Sequence, residues 1–216
     1  MITKLLRAAS HERSVVALFF ILRKVGDRLR GRLVAKVMGW PRSYLGKNSK
    51  ILGTRGITIG EGAYINRNAW IEAVHDFAGQ SFNPFIQIGR GFSASDRIHI
   101  TSINHIEIGD NCLFGSGVFV SDHNHGAYRG DEQSTPSEFP IQRRLVSHGP
   151  VIIGSNVWLG DNVVVMGPVR IGNGVVVGAN SVITRDLPDR VIAVGIPARI
   201  IKKYDEELGK WVIIDR

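Results

Sequence analysis

"VIIGSNVWLGDNVVVMGPVRIGNGVVVGANSVI", residues 151–183, returns an aliphatic residue every six positions. Ile153, Leu159, Val165, Ile171, Val177 and Ile183 keep this phase without a gap. Four residues after the first five of them stands a second small or apolar side chain: Val157, Val163, Val169, Val175 and Ser181. A six-residue period matches neither an alternating strand nor an α-helix. It fits a short strand plus a turn, repeated, and a repeat of this length marks a solenoid of stacked parallel coils. Three hexads close one triangular coil, each side turning one aliphatic residue inward. Gly, Asn and Asp supply the corners, where a positive φ costs little. Asp110-Asn111, Asp161-Asn162 and Asn173-Gly174 fill that place.

The same phase extends upstream through Ile59, Ile65 and Ile71, then Ile88, Ala94 and Ile100, then Ile108, Phe114 and Val120. Ala63, Ala69, Cys112 and Val118 are the small or apolar companions there. Five segments open alike, at Ile57–Gly60, Ile86–Gly89, Ile106–Gly109, Val151–Gly154 and Val169–Gly172. An ordinary β-sandwich of short strands does not account for fifteen hexads in phase. The expected fold is mainly β: a parallel β-helix of about five triangular coils, stacked roughly 4.8 Å apart to a height on the order of 24 Å. Cys112 falls at a small inward position and reads as a buried thiol rather than a nucleophile.

Three insertions interrupt the series. About eleven residues centred on "DFAGQSFNPF" (76–85) follow the first coil, and two residues follow the second. The longest, 126–152, follows the third, and an excursion of that length from a compact repeat is usually functional. "VSDHNHG" (120–126) is its first anchor and "SHGP" (147–150) its second.

The net charge of +8 is uneven. Residues 1–38 hold nine Lys/Arg against Glu12 and Asp27, while the remaining 178 residues net only +1. The body therefore gives no charge argument for nucleic acid. A single cysteine excludes an intrachain disulfide and favours a reducing, cytoplasmic home. The run "VVALFFIL" (15–22) is too short to span a bilayer, and arginines rather than a small-residue cleavage site follow it. Residues 1–40 read as a basic amphipathic helical arm, helical from about Thr3 to Val37, loosened at Gly26 and Gly31 and ended by Gly39 and Pro41. Its apolar face packs on the body or another subunit, or residues 1–38 make a peripheral contact with the inner face of the cytoplasmic membrane. The coil domain is expected over 41–204 and a C-terminal tail over 205–216.

The stretch "IIGSNVWLGDNVVVMGPVRIGNGVVVGANSVITRDLPDRVIAVGIPARIIKKY" (152–204) resembles the hexapeptide-repeat acetyltransferases, in their galactoside, maltose and surface-polysaccharide O-acetyltransferase branch. The motifs are Val157-Trp158-Leu159-Gly160, Val177-Gly178-Ala179-Asn180-Ser181 and Gly195-Ile196-Pro197-Ala198-Arg199, and the resemblance covers residues 57–204. It implies a left-handed coil, acetyl-CoA as donor, no required metal, a homotrimer with active sites between subunits, and a sugar hydroxyl as acceptor. The hand comes from the resemblance alone, because general chirality rules favour right-handed crossovers. The family's catalytic histidine, counted without gaps from Val118, falls on His125, with His123 as the competitor. Where many relatives carry proline, this chain has Gly126.

Acetyl transfer to a hydroxyl needs a base, an oxyanion donor and two substrates held together. Histidine is the natural base near neutral pH. In this reading His125 deprotonates the acceptor, Asp122, His123 and Asn124 shape its pocket, and the Gly160–Asp161 backbone of a facing subunit steadies the oxyanion. Repeat phase sets His105 and His125, with Asp76, at one place on successive coils. That is either support behind the base or a plain polar surface ladder. Tyr128, Arg143, Arg144 and His148 are further acceptor candidates. Trp158, Gly160, Asp161, Gly178, Ala179 and Pro197 are candidates for the acetyl and pantetheine path, and Thr184, Arg185, Arg199 and Lys202 for the nucleotide phosphates. Two alternatives use the same coil: a γ-carbonic-anhydrase-like zinc enzyme and a non-catalytic trimeric scaffold. The zinc enzyme needs two histidines five residues apart, which His99, His105, His123, His125 and His148 do not supply.

Overall fold

The hexad residues lie in short strands that stack in parallel into three walls, and a computed structural model describes them within residues 14–214. The first wall runs through Tyr44–Leu45, Tyr64–Ile65, Ser93–Ala94, Leu113–Phe114, Trp158–Leu159, Val176–Val177 and Val191–Val194. The second holds Lys50–Leu52, Trp70–Ala73, His99–Ser102, Phe119–Ser121, Val164–Met166 and Val182–Ile183. The third holds Ile57–Ile59, Phe85–Ile88, His105–Ile108, Val151–Ile153 and Val169–Ile171.

The inward positions form unbroken columns. In the second wall the register runs Ile51, Ile71, Ile100, Val120, Val165, Ile183, and all but Ile51 are buried. Each such aliphatic side chain taken out of water contributes about 1.5–3 kcal/mol before chain entropy is subtracted. Small and large residues alternate where the core needs it. Ala94 sits between Ile65 and Phe114 in the first wall, and Phe114 meets Phe92 edge-on at 5.0 Å. Cys112 is buried among these side chains, and burial pushes its thiol pKa up. The corners carry the expected left-handed residues: Asn111, Asn162 and Gly174 have φ of 57, 56 and 64°. Side chains there tie one coil to the next, as where Asp161 Oδ1 accepts the Ser116 N–H at 2.7 Å.

Three features differ from the sequence expectation. Two further wall strands, Tyr44–Leu45 and Lys50–Leu52, precede the five coils counted, the first of which opens at Ile57–Ile59. Ile51 and Ile59 stand eight residues apart, and the two extra residues are taken up in a 3-10 turn at Thr54–Gly56, so the phase is lost there. Of the expected C-terminal tail, 205–216, the described residues carry a strand, Lys210–Ile213. Arg199–Asp205 and Lys210–Ile213 add two antiparallel strands to the first wall.

The arm is helical over Ser14–Val37, here called α1, and neither Gly26 nor Gly31 interrupts it. Residues 3–13 of the expected helix lie outside the described residues. Gly31 is instead the point of closest approach to the body. A Cβ there would meet the Tyr44 ring at 2.3 Å and the Leu45 carbonyl oxygen at 2.7 Å. Ala35 and Trp40 are buried at this contact, Arg30 donates to the Leu45 carbonyl at 3.1 Å, and Asp27 pairs with Lys47. One face of α1 thus caps the first coil.

Candidate active site

Two of the insertions leave the same corner, between the second and third walls. After Ala73 the chain turns into a hairpin, Asp76–Phe77 against Gln80–Ser81. Two coils later, after Ser121, Asn124–His125 pairs antiparallel with Leu145–Val146 at the base of the long loop. The first hairpin holds the second. The Gln80 side chain donates to the Leu145 carbonyl at 3.2 Å and accepts the Leu145 N–H at 2.8 Å, so an amide stands in for a strand edge. Phe77 meets the His125 ring edge-on, centroids 5.2 Å apart. The sequence marked 76–85 as an insertion and set only its Asp76 in one ladder with His125. Phe77 and Gln80 carry no motif that reveals this contact.

At the corner, Asp122 turns inward and is 1% exposed. Its carboxylate accepts four hydrogen bonds: the Ser102 hydroxyl at 2.5 Å, the Ile103 and Asn104 N–H groups at 3.0 Å each, and His123 Nδ1 at 2.9 Å. Burial alone would raise its pKa. The hydrogen bonds from His123, Ser102 and the two backbone amides outweigh that and hold the carboxyl below its ordinary value. The expectation that Asp122 lines the acceptor pocket is therefore corrected: all four contacts are internal and no face reaches solvent. It positions its neighbours instead. The His123 side chain is 9% exposed, with Nδ1 tied to this carboxylate, which leaves Nε2 as its other nitrogen.

His125 is exposed, and its imidazole makes no hydrogen bond among the described residues. The chain reverses immediately after it. Gly126 has φ +103° and its N–H donates to the Arg144 carbonyl at 2.7 Å. Proline, with φ fixed near −65° and no N–H, cannot take this place, which explains the departure from the family pattern. Tyr128 donates to the His125 carbonyl at 2.5 Å and accepts from Arg143 at 2.9 Å, while Arg143 also reaches the Glu138 carbonyl at 3.0 Å. Both side chains are thus engaged in shaping the loop. Asn124 is half-buried opposite Val146, and His148 is exposed.

The expected ladder of Asp76, His105 and His125 does not form in register. His105 stays in the third wall opposite Phe85, with Nε2 3.8 Å from Glu107. His125 lies opposite Leu145, and Asp76 accepts from the Ser81 hydroxyl within its own hairpin. Equal spacing predicts equal place only while the chain stays in the wall, and both hairpins have left it. Among the described residues no cluster of three His, Cys, Asp or Glu suited to a metal is found.

The residues expected near the donor lie further along the stack. Trp158 projects outward from the first wall and is 51% exposed. Gly160 and Gly178 are small for an internal reason: a Cβ on Gly160 would meet the Ala179 nitrogen at 2.7 Å, and one on Gly178 the Val194 side chain at 2.7 Å. The Gly160 N–H donates to the Val177 carbonyl at 2.9 Å and is spent, whereas the Asp161 N–H has no acceptor among the described residues. Ala179 and Thr184 are exposed at corners, and Pro197 is exposed beside them. Arg185 and Arg199 come together in a groove of about 460 Å³ with Asp186, Leu187, Ala198 and Ile200. Lys202 lies within the added antiparallel strand, opposite Ile192 and Ile213.

Residues 150–185 match the family model described as bacterial transferase hexapeptide (six repeats), and 105–121 match the hexapeptide repeat of succinyl-transferase. The chain is 31% identical over 185 residues to galactoside O-acetyltransferase of Escherichia coli K12, covering 83% of this chain and 80% of that protein. It is 44% identical over 117 residues to the E. coli K12 protein named "Putative lipopolysaccharide biosynthesis O-acetyl transferase WbbJ", over 54% of this chain and 60% of that relative's length. Among solved structures, the D94A mutant of AntD, an N-acyltransferase from Bacillus cereus in complex with dTDP and coenzyme A, superposes with a TM-score of 0.59. At 23% identity over 81% of this chain and 89% of that one, this likeness shows the fold alone, a left-handed parallel β-helix. Fold and motifs together define an acyltransferase class. The chain belongs to the hexapeptide-repeat acetyltransferases, in the O-acetyltransferase branch.

Proposed function

We propose that this protein moves the acetyl group of acetyl-CoA to a sugar hydroxyl in a surface polysaccharide or its lipid-linked precursor, working as a homotrimer with its sites between subunits. The observation that carries the reading is the place of His125. It is exposed at the mouth of the long loop, held there by a hairpin and Phe77, with neither ring nitrogen committed among the described residues. In this mechanism a ring nitrogen of His125 takes the acceptor proton as the hydroxyl oxygen forms a bond to the acetyl carbonyl carbon. The C–S bond then breaks, and the imidazolium returns its proton to the departing thiolate. The Asp161 N–H of a facing subunit is the candidate oxyanion donor, since that of Gly160 is spent. Arg185 and Arg199, with Thr184 and Lys202 nearby in sequence, are the candidates for the CoA phosphates, in the groove they line. The names of the two E. coli relatives support the O-linked acceptor and the glycan context.

A second reading of the base is favoured by one contact. With Nδ1 held at 2.9 Å by buried Asp122, His123 has the arrangement of an oriented base acting through Nε2. On either reading the reaction is the same. It is tested by incubating the protein and acetyl-CoA with a panel of oligosaccharides, nucleotide sugars and lipid-linked glycans, and following thiol release and product mass. An alkali-labile acetyl ester on a glycan is the expected product. CoA release with no such ester on any glycan overturns the acceptor class.

A further inference from the structure

The outward side of α1 carries an apolar stripe that nothing among the described residues covers. Leu22, Val25, Leu29, Leu33 and Val37 recur at three- and four-residue spacings and are 45–79% exposed, and Phe19 continues the line at 59%. At helical periodicity these positions lie on the side opposite Gly31 and Ala35, which seal against the body. Exposed cations border the stripe: Arg23 on one side, Arg32 and Lys36 on the other. The one acid of the helix, Asp27, is turned to the body and paired with Lys47.

We infer that this face of α1 docks on an anionic lipid surface, lying in the plane of the membrane. An apolar stripe with cations along both edges and no acid among them is the pattern that enters the headgroup boundary. Packing stripe to stripe against a second copy would instead bring Arg23, Arg32 and Lys36 against like charges. Insertion across the bilayer is not the mode, since no described helix is long and apolar enough to cross. The inference is independent of which histidine is the base. It gives the coil a fixed orientation at the membrane, where a lipid-linked acceptor is presented.

The test uses the full chain with phosphatidylcholine vesicles, with and without a third of phosphatidylglycerol, in a flotation assay. The wild type should float with the anionic vesicles, less so as salt rises, since exposed charges are screened beyond roughly 8 Å at physiological ionic strength. Arg23→Glu/Arg32→Glu/Lys36→Glu should lower partition by roughly a hundred-fold. Leu22→Glu/Leu29→Glu/Leu33→Glu should abolish it while leaving the thermal melt and the sedimenting species unchanged. Wild-type protein that stays in solution, or variants that float as the wild type does, overturns the inference. So does a leucine variant that dissociates the oligomer, which would assign the stripe to a subunit contact.

Discussion

His123 and His125 stand two residues apart, yet their surroundings are opposite. His123 is pinned by a carboxylate that is itself held by a hydroxyl and two backbone amides, and His125 is exposed against one aromatic edge. What divides them is where the chain leaves the wall, directly after the last wall residue, Ser121. Removing the Asp122 carboxylate leaves the buried donors of Ser102 and Ile103 without an acceptor, while the Asn104 N–H keeps the Ser102 hydroxyl at 3.2 Å. Asp122→Ala should therefore cost on the order of 3–5 kcal/mol near neutral pH. The sign with pH follows from the direction of its shift: a carboxyl held below its ordinary value stabilises the fold fully above about pH 3.9. That contribution is lost as the pH falls through the folded-state value. Urea melts of both proteins at pH 6 and pH 3 should show the stability gap shrinking at the lower pH. An unchanged gap would mean that the charge is not its source.

At the scale of elements, what the sequence made legible was whatever repeats. Inward columns, left-handed corners and the presence of the arm all follow from a period of six or from helical spacing. What it hid was whatever leaves the period. The strands at 44–45 and 50–52 are out of phase by two residues, the strands 199–205 and 210–213 run antiparallel and carry no hexad, and the hairpins at 76–81 and 124–146 break the ladder expected of Asp76, His105 and His125. The family resemblance, placed by hexad counting, brought the reading to His125 but could not show that a glutamine two coils earlier supports it. Gln80→Ala removes both hydrogen bonds to Leu145, a local loss of about 1–2 kcal/mol. Amide exchange at Leu145 and Gly126 should quicken about tenfold by the same measure, and kcat should fall while CoA affinity holds. Unchanged exchange at both amides would show that the hairpin does not depend on Gln80.

The whole molecule is a stack whose donor-side candidates, Trp158, Ala179, Arg185 and Arg199, lie on coils beyond the one that carries His125. The subunit cleft of the proposed trimer unites the two halves of the reaction. Ala179 is exposed at a corner, so a larger side chain there obstructs a path along the outside of the stack without disturbing the core. Ala179→Trp should raise the CoA dissociation constant at least ten-fold by calorimetry with the melting temperature unchanged, and unaltered affinity would move the pantetheine path elsewhere. The most direct test of the central claim is steady-state acetyl transfer by His125→Ala and His123→Ala beside the wild type, with CoA binding measured on each. The account predicts that His125→Ala loses about 10²–10⁴ in kcat with CoA affinity intact, and that His123→Ala mainly raises the acceptor KM. A His125→Ala enzyme that turns over at the wild-type rate would contradict it, and a dead His123→Ala enzyme beside it would move the base to the Asp122–His123 pair.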